Sequence, residues 1–185
     1  MRTRIRILTL SILCTLVGGF AHADGTPAGI LLFPSFSVQR DSGQLYGDQN
    51  GLPFDFRAGY VNASGFYFGA LYTRKLMMGE QYSSSESSLG NSVGYLYANT
   101  AVILSYYITS SKSEYGPGIN LARTGGSGFQ LDFAVSVPLA YGISLAPMLT
   151  YKSLVFNTVE SQGVLTTSTS VETSLHPYLG FQYAF

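Results

Sequence analysis

The chain has 185 residues, 46% of them hydrophobic and only 11% charged, with ten Lys+Arg balancing ten Asp+Glu. Soluble domains average about 25% charged residues; this composition excludes charge-driven disorder and leaves no basic stripe for a nucleic acid. A single Cys excludes a disulfide framework, and past residue 23 no apolar run approaches the roughly 18 residues that a spanning helix needs.

The chain opens on an address. Arg2, Arg4 and Arg6 form a basic stretch, Ile7 to Phe20 an apolar one, and Ala21-His22-Ala23 a small-residue cleavage site. This is the pattern of a secretory signal peptide. It predicts removal of residues 1–23 and a mature barrel domain of residues 24–185. Cleavage takes away Cys14 and the three Arg, so the mature chain carries seven cations against ten acids. It then has no thiol for a disulfide, a nucleophile or a metal.

From residue 28 the hydropathy alternates with period two, the signature of strands between two different solvents. Eight segments follow in order: 28–40, 54–61, 66–77, 91–98, 101–111, 128–139, 143–156 and 169–185. Phe54, Phe56, Ala58 and Tyr60 oppose Asp55, Arg57 and Gly59. Val93, Tyr95 and Tyr97 oppose Gly94 and Leu96. Val102, Leu104, Tyr106 and Ile108 oppose Ile103, Ser105, Tyr107 and Thr109. Phe129, Leu131 and Phe133 oppose Gln130, Asp132 and Ala134. The last segment is clearest, with Val171, Leu175, Leu179, Phe181, Tyr183 and Phe185 on one face and Glu172, Ser174, His176, Gly180 and Gln182 on the other. In 28–40 and 66–77 both faces carry large apolar side chains, and the sequence leaves their facing open.

The connectors alternate in length. Short ones fall at 62–65, 99–100 and 140–142; long polar ones fall at 41–53, 78–90, 112–127 and 157–168. Such a meander predicts an all-β fold, an eight-stranded antiparallel up-and-down transmembrane β-barrel with its long loops at the outer end. A soluble barrel would turn Lys and Glu outward, whereas here the polar face is Ser, Thr, Gly and Gln. That face suits a narrow interior and the apolar face suits lipid. A closed barrel is also one of two structures that satisfy every backbone group in hydrocarbon.

The segment Tyr178-Leu179-Gly180-Phe181-Gln182-Tyr183-Ala184-Phe185 resembles the C-terminal assembly signal of bacterial outer-membrane proteins, with Tyr178, Gly180, Tyr183 and Phe185 at its key places. The mature chain resembles the small eight-stranded barrels of the OmpA and OmpX type in architecture and in this motif. The resemblance implies a Gram-negative outer-membrane location, contact with lipid and lipopolysaccharide, handling by the barrel-assembly machinery through the last strand, and a monomer with no cofactor. It implies no peptidoglycan-binding domain within this sequence.

Projected inward, the alternation places Asp55, Arg57, Asp132, Lys152, Glu172 and His176 in the lumen, where charges out of water must be paired. The expectation is an ion-pair network filling the barrel. Functionally this predicts a non-enzymatic structural or surface-interaction protein whose long loops could hold an extracellular ligand. A small porin-like channel for small or apolar solutes is the alternative, and an outer-membrane lipid-modifying enzyme a second. Ser174, His176 and Glu172 share one face, but neighbours two apart on a strand stand about 6.6 Å from each other, far for a nucleophile and its base. Tyr46, Tyr72, Tyr82 and Tyr115 suggest an upper aromatic belt. Pro34, Pro138, Pro147 and Pro177 fall inside the strands, against the usual avoidance of proline in a ladder.

Overall fold

The computed structural model describes residues 28–43, 47–140 and 142–185. The signal-peptide segment and Tyr46 lie outside the described residues. Ten strands follow one another: β1 (Gly29–Phe36), β2 (Gln39–Gly43), β3 (Gly47–Val61), β4 (Phe66–Gly79), β5 (Ser83–Tyr97), β6 (Thr100–Gly116), β7 (Ile119–Val135), β8 (Val137–Ala140), β9 (Ile143–Ser161) and β10 (Val164–Ala184). All ladders between them are antiparallel. The eight predicted segments become ten strands because two are broken. β1 and β2 both lie along β3, separated at Ser37–Val38, and β7 and β8 both lie along β9, separated at Ser136. β1 pairs with β3 on one side and β10 on the other, which closes the sheet into a barrel.

The predicted alternation holds around the ring. Phe56, Phe68, Val93, Leu104, Leu131 and Phe181 are exposed on the outer surface, while Asp55, Tyr67, Ser92, Ser105, Asp132 and Gln182 are buried within. The two ambiguous segments resolve the same way. Leu31, Phe33 and Ser35 of β1 turn inward and Ile30 and Phe36 outward; Tyr67, Leu71 and Thr73 of β4 turn inward and Phe66, Phe68 and Tyr72 outward. The continuous outer surface of large apolar side chains is what a lipid-facing wall requires.

The long polar loops are a correction. The stretch 78–90 is ladder apart from residues 80–82, and 112–127 is ladder apart from Pro117–Gly118. The stretch 157–168 turns over at Gln162–Gly163 alone. Both residues of that last turn have positive φ (52° and 83°), the geometry whose twist suits a two-residue hairpin. Ser83–Ser88, expected as a flexible loop, pairs with β4 and β6 at once. The reason is that beyond the lipid both faces of a strand meet water or polar groups. The hydropathy contrast disappears there although hydrogen bonding between strands continues.

The in-strand prolines follow from where each nitrogen points. Ile30 and Phe185 exchange both backbone bonds, at 2.8 and 3.1 Å. Backbone groups alternate direction along an antiparallel strand. Odd-numbered residues of β10 therefore aim theirs at β1, and Pro177 comes opposite Val38, where β1 has ended. Pro147 comes opposite the β7/β8 break. Pro138 is paired with Ser144 and aims its nitrogen the other way, past the β5/β6 turn, since Ser136, two residues before it, donates its N–H to the Asn99 carbonyl at 2.6 Å. Pro34 faces β10, and there the register passes from Leu32↔Tyr183 to Ser35↔Gly180 without a pair between. Three of the four prolines thus stand where no complete ladder would use the missing donor.

Inside, the half of the barrel near the β3/β4 and β5/β6 turns is apolar. Leu31, Phe33, Val61, Tyr67, Leu96, Ile103 and Met148 form one cluster. Room for the Tyr67 ring comes from a cross-strand glycine pair, Gly59↔Gly69. A methyl group at either position would meet that ring and partner-strand backbone. Gly69→Ala is expected to destabilise the barrel by about 1–3 kcal/mol through overpacking, read as a lowered urea midpoint in detergent or vesicles. The outward Ala70→Val should be near neutral.

Candidate functional site

The lumen holds two layers of charge. In the deeper one β3 carries Asp55 and Arg57 two residues apart, so both face inward, and β7 brings Asp132 across from the opposite wall. Arg57 donates to Asp132 at 2.5 Å and lies 3.4 Å from Asp55. Gln130 bridges the carboxylates, donating to Asp55 at 2.8 Å and to Asp132 at 2.9 Å. Its own carbonyl accepts the Tyr107 hydroxyl, and Thr150 donates to Asp132 at 2.7 Å. The guanidinium rests 5.7 Å from the Phe33 ring centre. Arg57, Phe33, Tyr67 and Tyr107 have no solvent exposure.

A second layer lies beside a small apolar cluster of Leu71, Tyr107, Leu154 and Phe156. Lys152 donates to Glu86 at 2.6 Å and to Thr73 at 3.1 Å, and lies over the Tyr107 ring at 4.9 Å. Further out, Glu172 accepts from Lys112 at 2.8 Å and from Arg123. Glu114 pairs with Arg123 at 3.1 Å and Lys112 at 3.4 Å and accepts the Tyr82 hydroxyl at 2.5 Å.

The structure thus divides the six expected lumen residues. Asp55, Arg57 and Asp132 meet in the inner layer. Lys152 and Glu172 belong to the outer one, each with a different partner. His176 faces inward beside them, half-buried. Sequence reasoning missed Glu86, Lys112, Glu114 and Arg123, because it placed them in loops. A signal was present for three of them: Ser84, Glu86 and Ser88 keep one parity and are buried, and Lys112 and Glu114 continue the parity of Ser110. Tyr82, expected in an aromatic belt, turns to Glu114 instead. Tyr72, Tyr106 and Tyr151 are exposed on the outer face.

Of the terminal motif, Tyr178 and Gly180 face the lumen and Tyr183 and Phe185 the outer surface. The Phe33 ring packs where Gly180 would carry a side chain. Among the described residues no group of three or more His, Cys, Asp or Glu is placed to hold a metal ion. Ser174 and His176 line a cavity of about 450 Å³ in the outer half, together with Lys75, Glu86, Lys152 and Glu172. The acid on their strand, Glu172, is engaged by two cations.

No family model matches the sequence, and no curated protein matches it. Among solved structures, Neisserial surface protein A superposes with a TM-score of 0.55 at 16% identity, covering 88% of this chain and 99% of the other. The chain has the outer-membrane β-barrel fold. The translocator domain of autotransporter NalP from Neisseria meningitidis scores lower, with a TM-score of 0.49 at 14% identity over 95% of this chain and 68% of that one.

Two outcomes follow from the charge layers. Arg57→Met leaves two buried carboxylates uncompensated and is expected to cost about 3–5 kcal/mol. The double variant Arg57→Met/Asp132→Leu should recover part of that loss in the same denaturation assay. Glu114, near the hairpin tips, is pulled both ways. Burial raises its pKa, but the Tyr82 hydroxyl, Lys112 and Arg123 together outweigh it and hold the carboxyl below its usual range. A depressed folded pKa stabilises at neutral pH and is lost as the pH falls through and below the ordinary value of about 4.3. Acid titration should therefore loosen the outer hairpins in this range, seen as faster amide exchange at residues 112–116, and Glu114→Gln should remove that pH dependence.

Proposed function

We propose that this protein is an integral outer-membrane barrel of a Gram-negative envelope, non-enzymatic and non-conducting, with a structural and surface-interaction role. The observation that carries the reading is the fully buried Arg57, tied to strands on opposite walls and backed by Phe33 and Tyr67. Arg57, Phe33, Tyr67 and Tyr107 are all without exposure, which speaks against the small-channel alternative. The second alternative, a lipid-modifying enzyme, is disfavoured because Glu172 is already engaged by two cations, Lys112 and Arg123.

An outward role is supported by the outer hairpins, above all β9/β10. Residues 160–169 are exposed throughout. The name of Neisserial surface protein A agrees with a place at the cell surface. The apolar outer wall fits contact with lipid and lipopolysaccharide, and the Tyr178–Phe185 motif fits recognition by the barrel-assembly machinery. A single copy completes the closed ring, in keeping with a monomer. In planar bilayers the purified protein should give no steady unitary conductance; reproducible unitary steps would overturn the plugged-barrel reading.

A further inference from the structure

Arg74 stands on the lipid-facing wall. It follows the buried Thr73 on β4 and is itself exposed. Its neighbours on that surface are Tyr72 and Leu76 along the strand, Phe54 on β3 and Ser87 on β5, and none of them is acidic. A cation on the lipid face of a barrel is costly at the bilayer midplane and costs little near the interface. An isolated arginine relieves that cost by reaching along the wall for water. On β3 and β4, however, the wall stays apolar beyond Arg74, with Leu52 54% and Met78 64% exposed. The polar neighbourhood of the guanidinium lies sideways, on β5 and β6.

There the apolar band ends at the level of Arg74. Leu89 of β5 and Ile108 of β6 are the outward apolar side chains just below. Ser84, Glu86 and Ser88 are buried, so Ser83, Ser85 and Ser87 face outward between them. Ser111 and Ser113 of β6 pair with Ser87 and Ser85. The hydroxyls of Ser87 and Ser111 lie 3.1 Å apart and exposed. All of these residues sit on the half of the barrel away from the short turns, which is the outer-leaflet side. A guanidinium binds a phosphate through a planar fork of donors. The serines offer hydroxyls in a row, and the wall below offers hydrocarbon contact. The three surfaces match the phosphate, the sugar and the acyl chains of one amphiphile. A phosphodiester lipid could also reach the guanidinium, but its small head would leave most of the serine row unused.

We propose that Arg74, Ser87 and Ser111 form a docking site for lipid A, the phosphorylated and acylated disaccharide of lipopolysaccharide. A phosphate sits on Arg74, the sugars lie along the serines of β5 and β6, and acyl chains run down the wall past Tyr72 and Leu89. The site rests on the outer-membrane reading and gives the expected lipopolysaccharide contact a place on the barrel.

The test uses the folded barrel purified in detergent, mixed with bisphosphorylated lipid A and read by native mass spectrometry. Folding of each variant is checked by its heat-dependent gel mobility. The unaltered protein should carry one lipid A per barrel. Arg74→Gln should weaken that binding about tenfold, the loss of one charge-assisted contact. Arg74→Lys keeps the charge without the fork and should fall between the two. Ser87→Ala/Ser111→Ala should weaken lipid A by a smaller factor and leave the binding of phosphatidylglycerol unchanged. Lipid A binding that Arg74→Gln does not alter overturns the site. Phosphatidylglycerol binding as tight as that of lipid A overturns the assignment to a phosphorylated sugar lipid. Failure of the unaltered protein to insert into vesicles would refute the membrane reading itself, so the two failures are told apart.

Discussion

The structure depends on one constraint: a backbone N–H or C=O facing hydrocarbon must find a partner on a neighbouring strand. The exchange of bonds between Ile30 and Phe185 joins the first strand to the last, and the ladder from there to Phe36↔Leu179 closes the ring. The strand breaks at Ser37–Val38 and Ser136 sit where a neighbouring ladder has ended or turned. The prolines cluster at the same places. Closure and its interruptions are one pattern seen from the two sides of each strand.

Closing a small ring creates an interior that must be filled. Eight strands enclose about the volume that side chains can occupy, and this chain divides that volume by depth. Apolar rings pack near the short turns, Arg57 with its two carboxylates lies above them, and the outer ion pairs lie beyond, beside a second apolar patch. A buried ion pair is weak evidence for stability, because desolvation offsets attraction. Its geometric effect is more certain: Arg57–Asp132 links β3 to β7, strands on opposite walls, which no backbone ladder can do. Lys112 and Arg123 do the same for β10 in the outer layer.

The sequence was legible wherever one face met lipid. Phe54, Phe56, Leu104, Leu131 and Phe181 alternate against small or polar partners, and each of those strands lies where that pattern puts it. Legibility failed above the membrane, where Ser83–Ser88 and Thr166–Ser168 are polar on both faces yet fully strand. Hydropathy reports the solvent on each side, not the ladder. For the same reason the lumen was half legible: Asp55, Arg57 and Asp132 stood out against apolar neighbours, while Glu86 and Glu114 sat among serines and lysine. The facing of β1 and β4 was hidden for the opposite cause, since Phe33 and Tyr67 fill an apolar interior that mimics the outer face.

The height of the wall is uneven. β2 and β3 turn over soon after the belt of apolar side chains, while β9 and β10 continue to Gln162–Gly163 with their last residues exposed on both faces. Nothing at that tip supports the ring, the apolar interior or either layer of charge. It is therefore a natural point for grafting foreign sequence: a peptide inserted between Gln162 and Gly163 would be displayed at the outer rim of the wall, on a hairpin braced along one side by β7.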